Sequence, residues 1–184
     1  MTTDHVPVLE NGNLRLRPPR IEDVEARFAL GNSPEIEHML GINPDEFAPL
    51  TLEGARAWVE RNMAMKNMWM IDFDDRLIGN AFLHSFDMHD RRATLALGIL
   101  DPTLLGQGLG TRVLHMMLGW AFENRNLHRV SLRVLAYNRR AIAAYKKVGF
   151  VREGVEREAA LVGSDRHDDW LMGLLKSEYR GIAA

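Results

Sequence analysis

Leu100-Asp101-Pro102-Thr103-Leu104-Leu105-Gly106-Gln107-Gly108-Leu109-Gly110-Thr111 decides how this chain is read. An apolar, strand-like run (Leu95 to Leu100) leads into it. Leu109, Val113, Met116, Met117 and Trp120 follow at helical spacing. The glycines at 106, 108 and 110 lie between the two. A glycine-rich strand-to-helix turn lets backbone come close to a ligand. It also aims unpaired N–H groups outward at the positive end of a helix, which suits phosphate. The plain alternative is a tight turn with no ligand. The dinucleotide fingerprint needs a different glycine spacing, and no Gly-Lys-Ser/Thr triplet exists for a P-loop.

Working outward on the C-terminal side, Val130, Leu132 and Val134 alternate with Ser131 and Arg133, the pattern of a half-buried strand. Asn138 is placed to cap a helix. Ala141, Ile142, Ala144, Tyr145 and Val148 then fall on one helical face, and Gly149 closes it before Phe150.

Gly106-Gln107-Gly108-Leu109-Gly110, followed by a strand and by Asn138-Arg139-Arg140-Ala141-Ile142-Ala143-Ala144-Tyr145-Lys146-Lys147-Val148-Gly149-Phe150, resembles the GNAT superfamily of acyl-CoA-dependent N-acyltransferases. Arg152-Glu153-Gly154, Arg157-Glu158 and His167-Asp168 resemble its branch of ribosomal-protein N-terminal and spermidine N-acetyltransferases. The likeness spans nearly the whole chain and is strongest from Arg91 to Leu175. It implies an α/β fold, with a mixed, mostly antiparallel central sheet whose middle strands splay apart, flanked by helices. It also implies one N-acetyltransferase domain over residues 1–184.

Composition sets the outer bounds. The chain has 184 residues, 46% hydrophobic and 26% charged, ordinary for one globular domain. A formal net charge of −2 argues against a general nucleic-acid binder. Zero cysteines remove disulfides, cysteine metal sites and thiol nucleophiles, which fits a cytoplasmic protein. Met1-Thr2-Thr3-Asp4-His5-Val6-Pro7 lacks the pattern of a signal peptide, and no apolar run is long enough to span a membrane. No metal is expected.

In chain order, residues 1–12 are expected to be loose, with a turn at Asn11-Gly12-Asn13. Leu14 to Arg17 reads as a strand stopped by Pro18-Pro19. Ile21, Val24, Phe28 and Ala29 mark one face of a helix, and Ser33-Pro34-Glu35 starts a short one. Asn43 to Leu50 reads as a loop. A helix from Thr51 follows, with Ala55, Trp58, Val59, Asn62 and Met63 on one side. Trp69–Phe73 and Leu77–His84 read as strands joined by Asp74-Asp75-Arg76. Phe86–Asp90 reads as a polar connection, and Arg92–Leu100 as the strand that enters the glycine turn. Val151–Val162 and Arg166–Leu175 close the chain as strands turned by Gly163-Ser164-Asp165.

The resemblance assigns roles to particular residues. Leu100, Leu105, Gly106, Gln107, Gly108, Leu109, Gly110, Thr111, Asn138, Arg140 and Tyr145 would hold the acyl-CoA, mostly through backbone N–H groups of the turn. Leu105 stands where the family usually carries Gln or Arg, so a side-chain contact is lost there. Asn138 would reach the pantetheine arm, or it is a helix cap only. Arg139 and Arg140 sit in a first helical turn, where the dipole disfavours cations. A bound phosphate would offset that, or both are simply solvated. Tyr145 is the candidate acid that protonates the departing thiolate, or a core aromatic. Backbone N–H groups of residues 97–100 would polarise the thioester carbonyl.

Both usual carboxylate bases are replaced, by Ala96 and Ala159. Glu158, Asp87, His84 and His167 remain as candidates, each with an ordinary structural alternative. Met63, Met65, Met68 and Met70, with Trp69, could line a malleable acceptor pocket, or pack the core. Asp72, Asp74 and Asp75 could draw in a cationic amine, or Asp74 and Asp75 are simple turn residues. The expected activity is transfer of an acetyl group from acetyl-CoA directly to a primary amine: a protein N-terminus, a polyamine or another small amine. The alternative is an acyl-CoA-binding regulatory module without catalysis. A homodimer is expected from the resemblance alone.

Overall fold

The computed structural model describes residues 6–181. Eight strands form one sheet in the order β1-β2-β3-β4-β5-β6-β8-β7. Every neighbouring pair is antiparallel except β5 and β6, which run parallel. A hairpin of β1 (Leu9–Asn11) and β2 (Leu14–Arg17) opens the described chain. The expected loose start is therefore corrected from residue 9 onward, because Leu9 to Asn11 find partners in Leu14 to Leu16. Residues 1–5 lie outside the described residues.

Helix α1 (Asp23–Leu30) buries Asp23, Val24 and Arg27, while Ile21 and Phe28 are exposed. That is not the apolar face expected from periodicity. Ion pairs turn the helix instead. Arg17 on β2 donates to Asp23 at 2.9 and 2.7 Å and to Asp72 at 2.5 and 3.1 Å, all three side chains buried. A buried charge is tolerated only when paired and hydrogen-bonded, so Asp23 must face inward. Arg27 lies over the Trp58 ring at 5.1 Å.

After the six-residue α2 (Pro34–Met39) comes α3 (Leu52–Ala64), capped by the Thr51 hydroxyl, which accepts from Gly54 N at 3.0 Å. The loop between them contains one short 3-10 turn, Pro44–Glu46. Met68 and Met70 of β3 (Met68–Phe73) are buried core, whereas Met63 and Met65 are exposed. Asp74 and Asp75 turn the chain into β4 (Arg76–Asp87), both at positive φ as a two-residue hairpin requires. The expected polar connection begins two residues late, since β4 runs on to Asp87 past an irregularity at Ser85.

Alternation on β4 sorts the two faces of the sheet. Ala81 and Leu83 join the main core with Val113, Leu114 and Met117 of α4 (Leu109–Gly119). Asn80 points the other way and donates to Asn62 of α3 at 2.8 Å. So α1 and α3 cover one face, and α4 with α5 (Arg139–Val148) covers the other. Burying each large apolar side chain of α4 contributes roughly 1.5–3 kcal/mol. A π-helical turn, Trp120–Asn124, ends that helix.

The feature that makes a site is in the middle. β5 (Arg92–Ile99) meets β6 (Arg129–Leu135) only at Arg92↔Arg129, Ala93↔Val130 and Thr94↔Ser131. Beyond Thr94, β5 stays with β4 as far as Gly79↔Ile99, and β6 stays with β8 (Asp165–Leu175) along its length. The two central strands therefore part after residues 94 and 131, as the expected splay requires. The edge strand β7 (Val151–Val162) is interrupted twice in its pairing with β8.

Candidate active site

Splaying strips β5 of its partner on one side. Leu100 N–H donates to Ile78 O at 2.7 Å. Donors alternate along an antiparallel strand, so Leu100 and Gly98 face β4, while Leu97 and Ile99 present their N–H groups to the gap. Of the backbone donors expected at 97–100, Leu100 is thus already engaged within the sheet.

A cavity of about 640 Å³ opens at this gap. One wall is Leu97, Gly98 and Ile99 of β5, a second is the glycine turn, and a third is α5. Leu105, Gly106, Gly108, Leu109, Gly110 and Thr111 all line it. Leu100 and Gln107 do not, and the Gln107 amide donates instead to Thr103 O at 2.9 Å. Gly106 and Gly108 both have φ of +78°, a region other residues enter only with strain. A side-chain carbon at 106, 108 or 110 would meet nothing within 4 Å. The turn therefore has an open concave surface in front of it. Gly108 begins α4 without a side-chain cap, and no acidic residue lies in the first turn. The first helical N–H groups are left without intrahelical partners beside the cavity, the arrangement that receives an anion.

On the α5 side, Asn138, Arg140, Ala141, Ala144 and Tyr145 line the same cavity. Both polar atoms of the Asn138 side chain have protein partners. Its Oδ1 accepts from Ala141 N at 3.1 Å, which caps α5, and its Nδ2 donates to Met39 O at 3.1 Å. Arg140 Nη1 pairs with Glu35 of α2 at 2.9 Å, and Arg139 is exposed. Tyr145 is 7% exposed and meets Phe150 edge-on at 5.8 Å. Its hydroxyl has no hydrogen-bond partner among the described residues. Burial pushes its pKa up to about 12, so it keeps its proton at neutral pH.

Among the described residues no carboxylate lines the cavity, and its charged residues are Arg140, Lys146 and Lys147. The sequence candidates for a base have other engagements. Asp87 accepts from Asp90 N, His89 N and Arg92, and these bonds, that of Asp90 first, hold it below the usual carboxylate range. Glu158 sits at positive φ in a strand irregularity, its N–H bonded to Asp168 at 2.8 Å. His84 is exposed and bonded to Ser85 at 2.9 Å. His167 lies edge-on to Tyr137 at 4.8 Å. Asp72 belongs to the Arg17 ion pair, which corrects its reading as an amine attractant, and Asp74 and Asp75 are turn residues.

One buried carboxylate, Asp169, was not among the sequence candidates, and it lies outside the cavity lining. Asp169, 3% exposed, faces Leu135 across β6–β8, and its pKa is raised by burial. Arg133 Nε pairs with it at 3.2 Å. Only the strand register reveals it, so no local pattern could have. Among the described residues there is no group of side chains arranged to hold a metal ion, and no helix is long and apolar enough to cross a membrane.

The arrangement can hold an anion on the glycine turn, admit an extended ligand along β5 and offer a phenolic proton beside the gap. Comparison with known proteins gives the family. The family described as Acetyltransferase (GNAT) domain matches residues 13–151. The chain is 30% identical over 109 residues to a protein named as ribosomal N-acetyltransferase, YdaF of Bacillus subtilis, a match spanning 59% of each chain. It is 23% identical over 180 residues to a protein named as N-acetyltransferase, YjcK of the same organism, covering 93% of this chain and 98% of that one. The spermidine N-acetyltransferase of Vibrio cholerae, solved in complex with CoA and spermine, superposes with a TM-score of 0.73 at 24% identity, over 92% of this chain and 99% of that one.

Proposed function

The chain belongs to the GNAT family of acetyltransferases, and from that premise we propose that it transfers the acetyl group of acetyl-CoA directly to a primary amine. The observation that carries this reading is the cavity itself. An open glycine cradle at a helix N-terminus, strand donors turned away from β4 and a buried phenol without a hydrogen-bond partner among the described residues all face one space of about 640 Å³.

Acetyl-CoA supplies the acetyl carbonyl and a thiolate leaving group. Gly106, Gly108 and the first N–H groups of α4 hold the pyrophosphate. The N–H groups of Leu97 and Ile99 orient the acyl arm and stabilise negative charge on the carbonyl oxygen. As the amine nitrogen bonds to the acetyl carbon, the carbon–sulfur bond breaks and the Tyr145 hydroxyl gives its proton to the sulfur. The proton lost by the amine leaves through water. The acceptor is a protein N-terminus, a polyamine or another small amine. Spermidine acetyltransferases among the relatives favour a small amine. One N-acetyltransferase domain over 1–184, a cytoplasmic location and a homodimer complete the proposal.

A second reading, an acyl-CoA-binding module without turnover, draws on one observation: among the described residues no carboxylate lines the cavity. Release of free CoA from acetyl-CoA, measured against peptides with different N-termini, polyamines and other amines, separates the two. Amine-dependent release establishes transfer and gives the acceptor class. Tight acetyl-CoA binding with no release for any amine favours the module.

A further inference from the structure

We propose that Tyr137 is a positioning residue that seats α2 as the roof of the donor cavity. The inference rests on the reading of that cavity as the acyl-CoA site. Helix α2 is only six residues long, far below the length at which a helix stands alone in water. Yet Ile36 and Met39 on it, and Leu40 just past its end, line the cavity. Something must hold that short segment down.

The hold comes from the junction between β6 and α5. The Tyr137 hydroxyl donates to His38 O at 2.6 Å, and its ring stacks on the His38 ring at 4.7 Å and 10°. His167 of β8 closes against the other side of the system, edge-on to Tyr137 at 4.8 Å and 74°. The next residue, Asn138, bonds Met39 O. Tyr137 and Asn138 thus bond two carbonyls at the C-terminal end of α2, Tyr137 adding a second donor to His38 O, which also accepts from Gly41 N at 3.0 Å. Tyr137 itself does not line the cavity. It acts through the roof. Without its bond and its ring, Met39 and Ile36 lose their fixed height over the donor channel.

The test uses the full chain and three variants: Tyr137→Phe, Tyr137→Ala and Tyr179→Phe. The last removes a matched phenol-to-carbonyl bond, to His115 O at 2.9 Å on α4. CoA binding by calorimetry is the first readout, and amide hydrogen exchange over residues 34–42 of the free protein is the second. Tyr137→Phe keeps the ring and is expected to raise the Kd for CoA about fivefold, the worth of one net hydrogen bond. Tyr137→Ala is expected to raise it about tenfold or more, since the ring stack goes too. Exchange over 34–42 should quicken in both, with the rest of the chain unchanged. The KM for acetyl-CoA should rise with Kd, while kcat at saturating donor changes less. Tyr179→Phe should move none of these. Failure of the unaltered protein to bind CoA would overturn the donor reading and this inference together. Normal CoA binding in the unaltered protein, with the same Kd and the same exchange in Tyr137→Phe, would overturn this inference alone.

Discussion

A side-chain carbon on Gly79 would run into the carbonyl oxygen of Gly98 on the facing strand. The obstacle is backbone and cannot rotate away, so β4 and β5 approach as they do only with glycine at 79. The relation is one-sided. A carbon on Gly98 would meet Leu100 Cδ2 at 3.6 Å and Asn80 Oδ1 at 3.7 Å, ordinary contacts. Gly79→Ala is therefore expected to cost about 3 kcal/mol, the upper range for overpacking, and to lower Tm by about 6–12 °C in a chain of this size. Gly98→Ala should change stability by less than about 1 kcal/mol. Thermal unfolding of the two variants decides it, and equal losses would mean that the close approach at Gly79 is relieved by strand movement.

The glycine turn offers a similar contrast between fold and function. At Gly108, φ is +78°, so Gly108→Val strains the backbone as well as crowding the cradle. Gly110 has no such constraint, and its missing side chain faces open space. Alanine there should leave folding unharmed, or stabilise α4 by up to about 1 kcal/mol. The added methyl would stand in the proposed phosphate path. Gly110→Ala is expected to weaken CoA binding about tenfold or more with an unchanged or higher Tm, since removing or blocking charge-assisted bonds costs about 1.5–3 kcal/mol. Calorimetry checks it; a folded variant with native CoA affinity would move the phosphate site off this turn.

These contrasts show what the sequence could carry. The glycine turn, the Asn138 cap, the buried face of α5 and the Gly149 stop were legible because each is local: a few residues fix their own φ, cap or period. The splay was legible only through family likeness. Physically it is the end of pairing at Thr94↔Ser131, a contact between strands with a whole helix between them. The inward face of α1 was misread for the same reason. Apolar periodicity favoured Ile21 and Phe28, but Arg17 and Asp72, brought together by strand pairing, draw Asp23 inside. Asn138 likewise read as a cap and a ligand contact, while its bond to Met39 joins residues far apart in sequence. The burial of Asp169 was legible only once the register placed it beside Leu135.

All three tyrosines of the chain have raised pKa values. Burial is the first cause in each case, and it pushes Tyr145 and Tyr179 to about 12. An unfolded tyrosine ionises near pH 10. The unfolded chain therefore loses its phenolic protons first, and stability falls as pH rises from about 10 to about 12. Below about pH 10 these groups contribute no slope. For Tyr145, 7% exposed, the shift corresponds to about 3 kcal/mol lost across that window. Ultraviolet tyrosinate absorbance should stay flat through pH 10 and then rise together with the loss of native circular dichroism. Independent titration of one or more tyrosines near pH 10 in the folded protein would show that the rings are wetter than their packing indicates.

Tyr145→Phe probes the acid itself. The substitution removes one oxygen that has no hydrogen-bond partner among the described residues and keeps the ring against Phe150. Folding and CoA affinity should therefore stay near native. Turnover should fall by about a hundredfold, the low end for loss of a general acid. The deficit should depend on the leaving group. A thiolate from an aliphatic thiol, with a pKa near 8.5 for its closest side-chain analogue, gains from protonation as it departs. An aromatic thiol ester releases a more stable anion and gains less. If the phenol acts as acid, the variant's defect shrinks with an acetyl donor carrying an aromatic thiol. If the phenol only shapes the channel, the defect is the same for both donors. Native turnover in the variant would assign the proton to water, and Tyr145 would then be one more buried aromatic of α5.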